Sequence, residues 1–144
     1  MTKPFVAIVF SIVFISCQQN KSDTTGDKER IDHVCETFMD DFTKGQYNAA
    51  MDLLRQYSVL GKEKIDTLAV TIKNQMSLLI PAYGKILSSS FIIERRVKDF
   101  ISKRFYILKF EKYYLRFDFT LYKTNNGWTI TGFSYDDNLV ELLY

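Results

Sequence analysis

The stretch Tyr113-Tyr114-Leu115-Arg116-Phe117-Asp118-Phe119-Thr120-Leu121-Tyr122-Lys123 alternates along its whole length. Tyr113, Leu115, Phe117, Phe119 and Leu121 share one parity; Tyr114, Arg116, Asp118, Thr120 and Tyr122 share the other. A period of two is the side-chain repeat of a β-strand, so one face is expected in a core and the other in water. Thr124-Asn125-Asn126-Gly127 follows as a tight hairpin, with Asn and Gly tolerating positive φ, and Trp128 to Tyr135 returns as the next strand. Upstream, Phe91 to Val97 and Arg104 to Phe110 supply two earlier strands. Strands joined by such short links run antiparallel.

Before Ser88 the period is 3.6. From Asp27 to Lys44, apolar residues fall at Ile31, Val34, Cys35, Phe38, Met39 and Phe42, one buried stripe of a helix, with Asp27 or Thr25 as its cap and Gly45 as its stop. A second helix is expected from Tyr47 to Gln56 and a third from Lys62 to Leu79, the latter ended by the preference of Ile80, before Pro81, for extended geometry. The tail from Asn138 to Tyr144 has leucines at helical spacing and suits a short helix or a final strand. Helices first and a meander second make an α+β fold, with N-terminal helices packed on a curved antiparallel sheet.

The length, 144 residues and 16.9 kDa, leaves room for one core. With 47% hydrophobic and 25% charged residues, 6 Gly and 2 Pro, collagen-like, low-complexity and disordered classes are excluded. Twelve Phe and 9 Tyr, concentrated in the last third, favour a sheet. Charge nearly cancels but is unevenly spread. Residues 27–44 hold six acids against three cations, and residues 91–123 hold nine cations against four acids, so the wet face of the sheet is expected to be positive. No excess large enough for a nucleic-acid surface survives, and no nucleic-acid partner is expected.

The first sixteen residues read as a leader. After Lys3, an apolar run from Phe5 to Ile15 is broken only by Ser11, and its 11 residues are too few to span a bilayer stably. Phe14-Ile15-Ser16-Cys17 resembles the lipobox of bacterial lipoproteins, with Phe14 where Leu is usual. That resemblance implies a diacylglycerol thioether on Cys17, the first residue of the mature chain, and a protein anchored by lipid to a membrane of the bacterial cell envelope, periplasmic or surface-exposed. The polar tract that follows, residues 17–26, reads as a tether, and residues 27–144 as a single domain. With Cys17 acylated, Cys35 is left without a disulfide partner.

The order of elements also resembles a known superfamily. A long amphipathic helix, Lys44-Gly45-Gln46-Tyr47-Asn48-Ala49-Ala50 opening a second, Tyr83-Gly84-Lys85 before the sheet, and Gly127-Trp128-Thr129-Ile130-Thr131-Gly132-Phe133 closing it are similar to the nuclear transport factor 2-like, or cystatin-like, fold over residues 28 to 137. The resemblance implies a cone of helices and concave sheet around a pocket, and in many members pairing through the outer sheet face. Members include isomerases, dehydratases and hydrolases as well as proteins that only bind or assemble, so fold leaves function open.

Chemistry must come from the residues. His33, the sole histidine, lies about 200° round the helix from Ile31 and faces water, while Cys35 lies near 40°, inside the apolar stripe, so the two cannot act as a pair. One His and one free Cys leave only an all-carboxylate metal site open, and no cofactor is implied. Asp40, Asp41, Asp118, Asp136 and Asp137 all read as solvated acids. Arg95 stands out, because it shares the parity of Phe91, Ile93 and Val97. Facing inward, its guanidinium could hold an anionic ligand; strand twist or a bulge would instead carry it to the rim, its stem covering apolar surface. Tyr83 and Tyr113 could line the same opening, or simply belong to the core.

These features point first to a lipid-anchored, non-enzymatic binding or assembly module that uses a pocket or the exposed sheet face, with a small apolar or anionic ligand, a homodimer or an envelope protein as partner. The alternative is a small pocket enzyme, an isomerase or hydratase acting on an apolar substrate by general acid/base catalysis. A third reading is a structural subunit of an envelope complex.

Overall fold

The computed structural model describes residues 24–144. Three helices, α1 (Thr24–Thr43), α2 (Tyr47–Tyr57) and α3 (Lys62–Tyr83), precede four strands, β1 (Ile86–Val97), β2 (Ile101–Phe110), β3 (Tyr114–Thr124) and β4 (Gly127–Asp136), and a short α4 (Val140–Leu143). The strands form one antiparallel meander in the order β1-β2-β3-β4, curved and unclosed, with the three helices packed on one face. Lipidation at Cys17, the leader and most of the expected tether lie outside the described residues.

α1 begins at Thr24 rather than at Asp27. Asp27 does not cap it; its carboxylate accepts the backbone N–H of Trp128 and an N–H of Arg30, 2.6 Å away, tying the helix to the last hairpin. The other end closes as expected. Gly45, at φ 76°, donates its N–H to the Phe42 carbonyl, and Gln46 donates to Asp41, which together satisfy two carbonyls of the last turn. The expected stop at Ile80 is corrected: α3 runs through Pro81 to Tyr83. A proline removes one backbone donor, and here Leu79, Ile80 and Tyr83 pack on the core firmly enough to hold one further turn, closed by the N–H of Gly84 on the Ile80 carbonyl at 2.9 Å.

In the β3–β4 hairpin, Thr124 pairs with Gly127, and of that turn's residues only Gly127 has a positive φ, 118°. A Cβ there would lie 2.4 Å from the Asp27 carboxylate, so the position needs glycine for conformation and for space. Thr124 helps to hold the turn, its hydroxyl donating to the Gly127 carbonyl at 2.8 Å and accepting from the Asn126 N–H at 3.1 Å.

The core fills the space between helices and sheet. Phe38 meets Phe119 edge-on at 5.2 Å, Phe42 meets Phe117 at 4.9 Å, and Met39, Met51, Leu54 and Leu121 close around them with almost no exposed surface. The apolar parity of residues 115–121 is inward, as the alternation requires. The other parity is wet only at its ends: Tyr122 is exposed, but Arg116 and Asp118 at the centre are 4% and 3% exposed, as buried as much of the core. The outer face of the sheet is covered at its centre by the chain that follows β4, where Glu141 of α4 reaches Lys103 and Arg116.

Candidate functional site

The helix–sheet interface is polar at one end. Lys28 of α1 bonds Asp32 and, at 2.5 Å, Glu94 of β1; Arg104 of β2 reaches Asp32 and Glu36, both at 3.1 Å, and donates to the Tyr106 hydroxyl at 3.0 Å. Ser102 and Arg96 also donate to Glu94. The charge imbalance of the chain is explained here: acids of the first helix meet cations of the sheet. Burial raises the Glu94 pKa, but bonds from Lys28, Ser102 and Arg96 outweigh it and hold the carboxyl down to about 2. Burial raises the Tyr106 hydroxyl further than Arg104 lowers it, and pushes the Cys35 thiol up to about 12. Near neutral pH these shifts favour Glu94 as the carboxylate and Tyr106 and Cys35 in their protonated forms, each held by its neighbours. This cluster clamps α1 to β1 and β2.

The outer face is built differently. Lys103 lies 2.8 Å from Glu141 and 3.5 Å from Asp118; Arg116 lies 2.9 Å from Asp136, over the ring of Phe105. The hydroxyl of Ser134 donates to Asp118 at 2.8 Å. Asp118, expected in water, is therefore a buried acid paired with two cations, because α4 and the end of β4 cover it. Of the nine cations in residues 91–123, Arg95, Lys98, Lys109, Lys112 and Lys123 remain without an ion pair among the described residues.

Beside α4 the outer face opens into a groove of about 720 Å³, against about 340 and 300 Å³ for two lesser ones. Ile92, Ile107 and Tyr114 line it from the strands and Leu139, Leu142 and Leu143 from the tail. Ser88, Ser90, Lys109, Glu111 and Lys112 supply its polar side. It is an open groove, apolar along the strands and tail and polar at the hairpin end.

The three expected pocket residues separate. Tyr83 and Tyr113 come together, their rings stacked at 4.3 Å, and Tyr113 lies at the edge of the groove. Its hydroxyl donates to Asp137 at 2.8 Å, a bond that, with this acid's charge, raises its pKa to about 12. Arg95 is elsewhere. The register shifts between Phe91 and Ile93, so Phe91 lies on the Tyr106 side of the sheet, exposed at its edge, while Arg95 pairs across with Lys103 on the outer face, also exposed. The bulge gives the inward place to Glu94, opposite Arg104. His33 is exposed and 3.9 Å from Glu36, and Cys35 is buried away from it, as the helical angles require.

Sequence reasoning missed Lys28, Glu94 and Arg104 as interior residues. A faint signal existed, since Lys28, Asp32 and Glu36 recur at i, i+4 along one line of α1. No helix of the described residues is long and apolar enough to cross a membrane. No family model, curated protein or solved structure matches the chain.

Proposed function

We propose that the chain is a lipid-anchored, non-enzymatic binding module of the bacterial cell envelope, of the nuclear transport factor 2-like kind, tethered through Cys17 and binding through the outer face of its sheet. One observation carries this reading over a pocket enzyme. The space between helices and sheet, where a substrate would sit, is occupied at its centre by Phe38, Phe42, Phe117 and Phe119, with grooves of only about 300 and 340 Å³ at its margins, whereas the groove of about 720 Å³ lies on the opposite side of the sheet. The apolar run ending at Ser16-Cys17 supports the anchor.

Two measurements test it. Mass spectrometry of the mature N-terminus is expected to find a diacylglycerol-modified Cys17; an unmodified, unprocessed start contradicts the anchor. Nile red, an uncharged apolar dye, is expected to bind the full chain with one-to-one stoichiometry and to be lost in Ile107→Glu. No dye binding, or binding indifferent to Ile107→Glu in a folded variant, contradicts the binding face.

A further inference from the structure

The same groove carries a ligand class, an inference that rests on the reading above. Its two sides differ chemically. Lys109 and Lys112 stand at the β2–β3 hairpin end, both exposed, and neither has a carboxylate within ion-pair distance among the described residues. Ser88, the cross-strand partner of Lys109, and Ser90 add hydroxyls on the adjoining strand. Glu111 also lines the groove but is engaged elsewhere, accepting the Lys85 N–H at 3.3 Å with the Lys85 ammonium at 4.0 Å. One step further from the hairpin lie Ile107 and Ile92, facing the leucines of α4.

The wall is fixed. Glu141 fastens α4 to the sheet through Lys103 at 2.8 Å, with Arg116 at 3.9 Å, and the leucines on either side of it border the groove. Val140 and Leu143 nonetheless remain largely exposed, at 58% and 70%. An apolar channel that begins at two unpaired ammonium groups is complementary to a molecule with an anionic head and one hydrocarbon chain.

We propose that this groove binds a single-chain anionic amphiphile, its head on Lys109 and Lys112 and its chain along Ile92, Ile107 and Leu142. The ligand is a free monomer, because a bilayer surface presents heads in a plane and leaves the chains buried beneath them. Head recognition is electrostatic, so affinity falls as salt rises. Chain recognition is by burial, so affinity grows with length.

The test is calorimetric titration of the full chain with laurate below its micellar concentration, with decanoate, dodecanol and anionic phospholipid vesicles as companions. Laurate is expected to bind about tenfold more tightly than decanoate, two buried methylenes being worth roughly that factor. Lys109→Glu/Lys112→Glu, at exposed positions away from the core, is expected to weaken laurate by about tenfold or more and leave dodecanol unchanged. Ser90→Trp, which fills the groove, is expected to weaken both. Equal affinity for laurate and dodecanol, or indifference to the charge reversal, overturns the ligand class while leaving Nile red binding and the binding face intact. Binding to vesicles but not to laurate overturns it in favour of a membrane surface. Sedimentation showing a dimer that Ile107→Glu separates and laurate does not overturns it in favour of a second copy of the chain.

Discussion

The ammonium of Lys28, on the first helix, lies 2.5 Å from Oε1 of Glu94, on the edge strand β1; Lys28 is buried and Glu94 partly so. The pair joins residues 66 apart in sequence, where the acidic helix closes on the basic sheet. Asp32, Arg104, Ser102 and Arg96 complete the cluster, so neither charge is buried alone, which is the condition under which such a pair is tolerated.

Stability is therefore expected to fall in acid. The folded-state pKa of Glu94 is depressed, so its contribution is complete above its ordinary value of 4.5 and is lost as pH drops from there toward about 2. Asp27 and Glu141 are also lowered and act in the same direction. In Glu94→Gln the protein is expected to be about 2 kcal/mol less stable near neutrality and to lose less on acidification than the wild type. Thermal unfolding followed across that pH range checks both; parallel curves for the two proteins contradict the assignment.

Gly127→Ala is expected to cost about 2 kcal/mol, because φ 118° is strained for any side chain and the new methyl meets the Asp27 carboxylate. Asp27→Ala relieves the second part only, so the double variant is expected to lose less than the sum of the two singles. Urea denaturation of the four proteins supplies the cycle, and strict additivity contradicts the contact.

Arg116 and Asp118 make a further test of the outer face. Arg116→Leu leaves Asp118 buried with only Ser134 and, at 3.5 Å, Lys103, and is expected to cost about 3–5 kcal/mol. The Arg116 Nε and one terminal nitrogen are buried without hydrogen-bond partners, so the guanidinium is itself incompletely satisfied. Replacing both residues by Leu is accordingly expected to cost less than replacing Arg116 alone. A double variant weaker than the single contradicts a buried pair.

Much of the fold is legible in the chain. The alternation from Tyr113 to Lys123 sets the inward parity of β3 correctly, and Gly45 marks the end of α1, because both signals are local. The errors are non-local. Alternation says that two faces differ, not that the polar one is wet, and Asp118 is dried by a tail some twenty residues downstream of it. A single bulge at Ile92 inverts the parity of everything after it in β1, exchanging Arg95 for Glu94 on the inner face. Pro81 stays helical because packing of Leu79 and Tyr83 outweighs one lost backbone bond. The groove is built from the start of β1, the β2–β3 hairpin and the tail, so no contiguous motif announces it.

The most direct measurement is amide chemical-shift mapping of the isotope-labelled full chain while laurate is titrated in. Displaced resonances are expected to cluster at Ser90, Ile92, Ile107, Lys109, Tyr114 and Leu142, on the outer face, with Phe38, Phe119 and Tyr106 unmoved. Shifts centred instead on those three interior aromatics contradict a filled core with its binding surface turned outward.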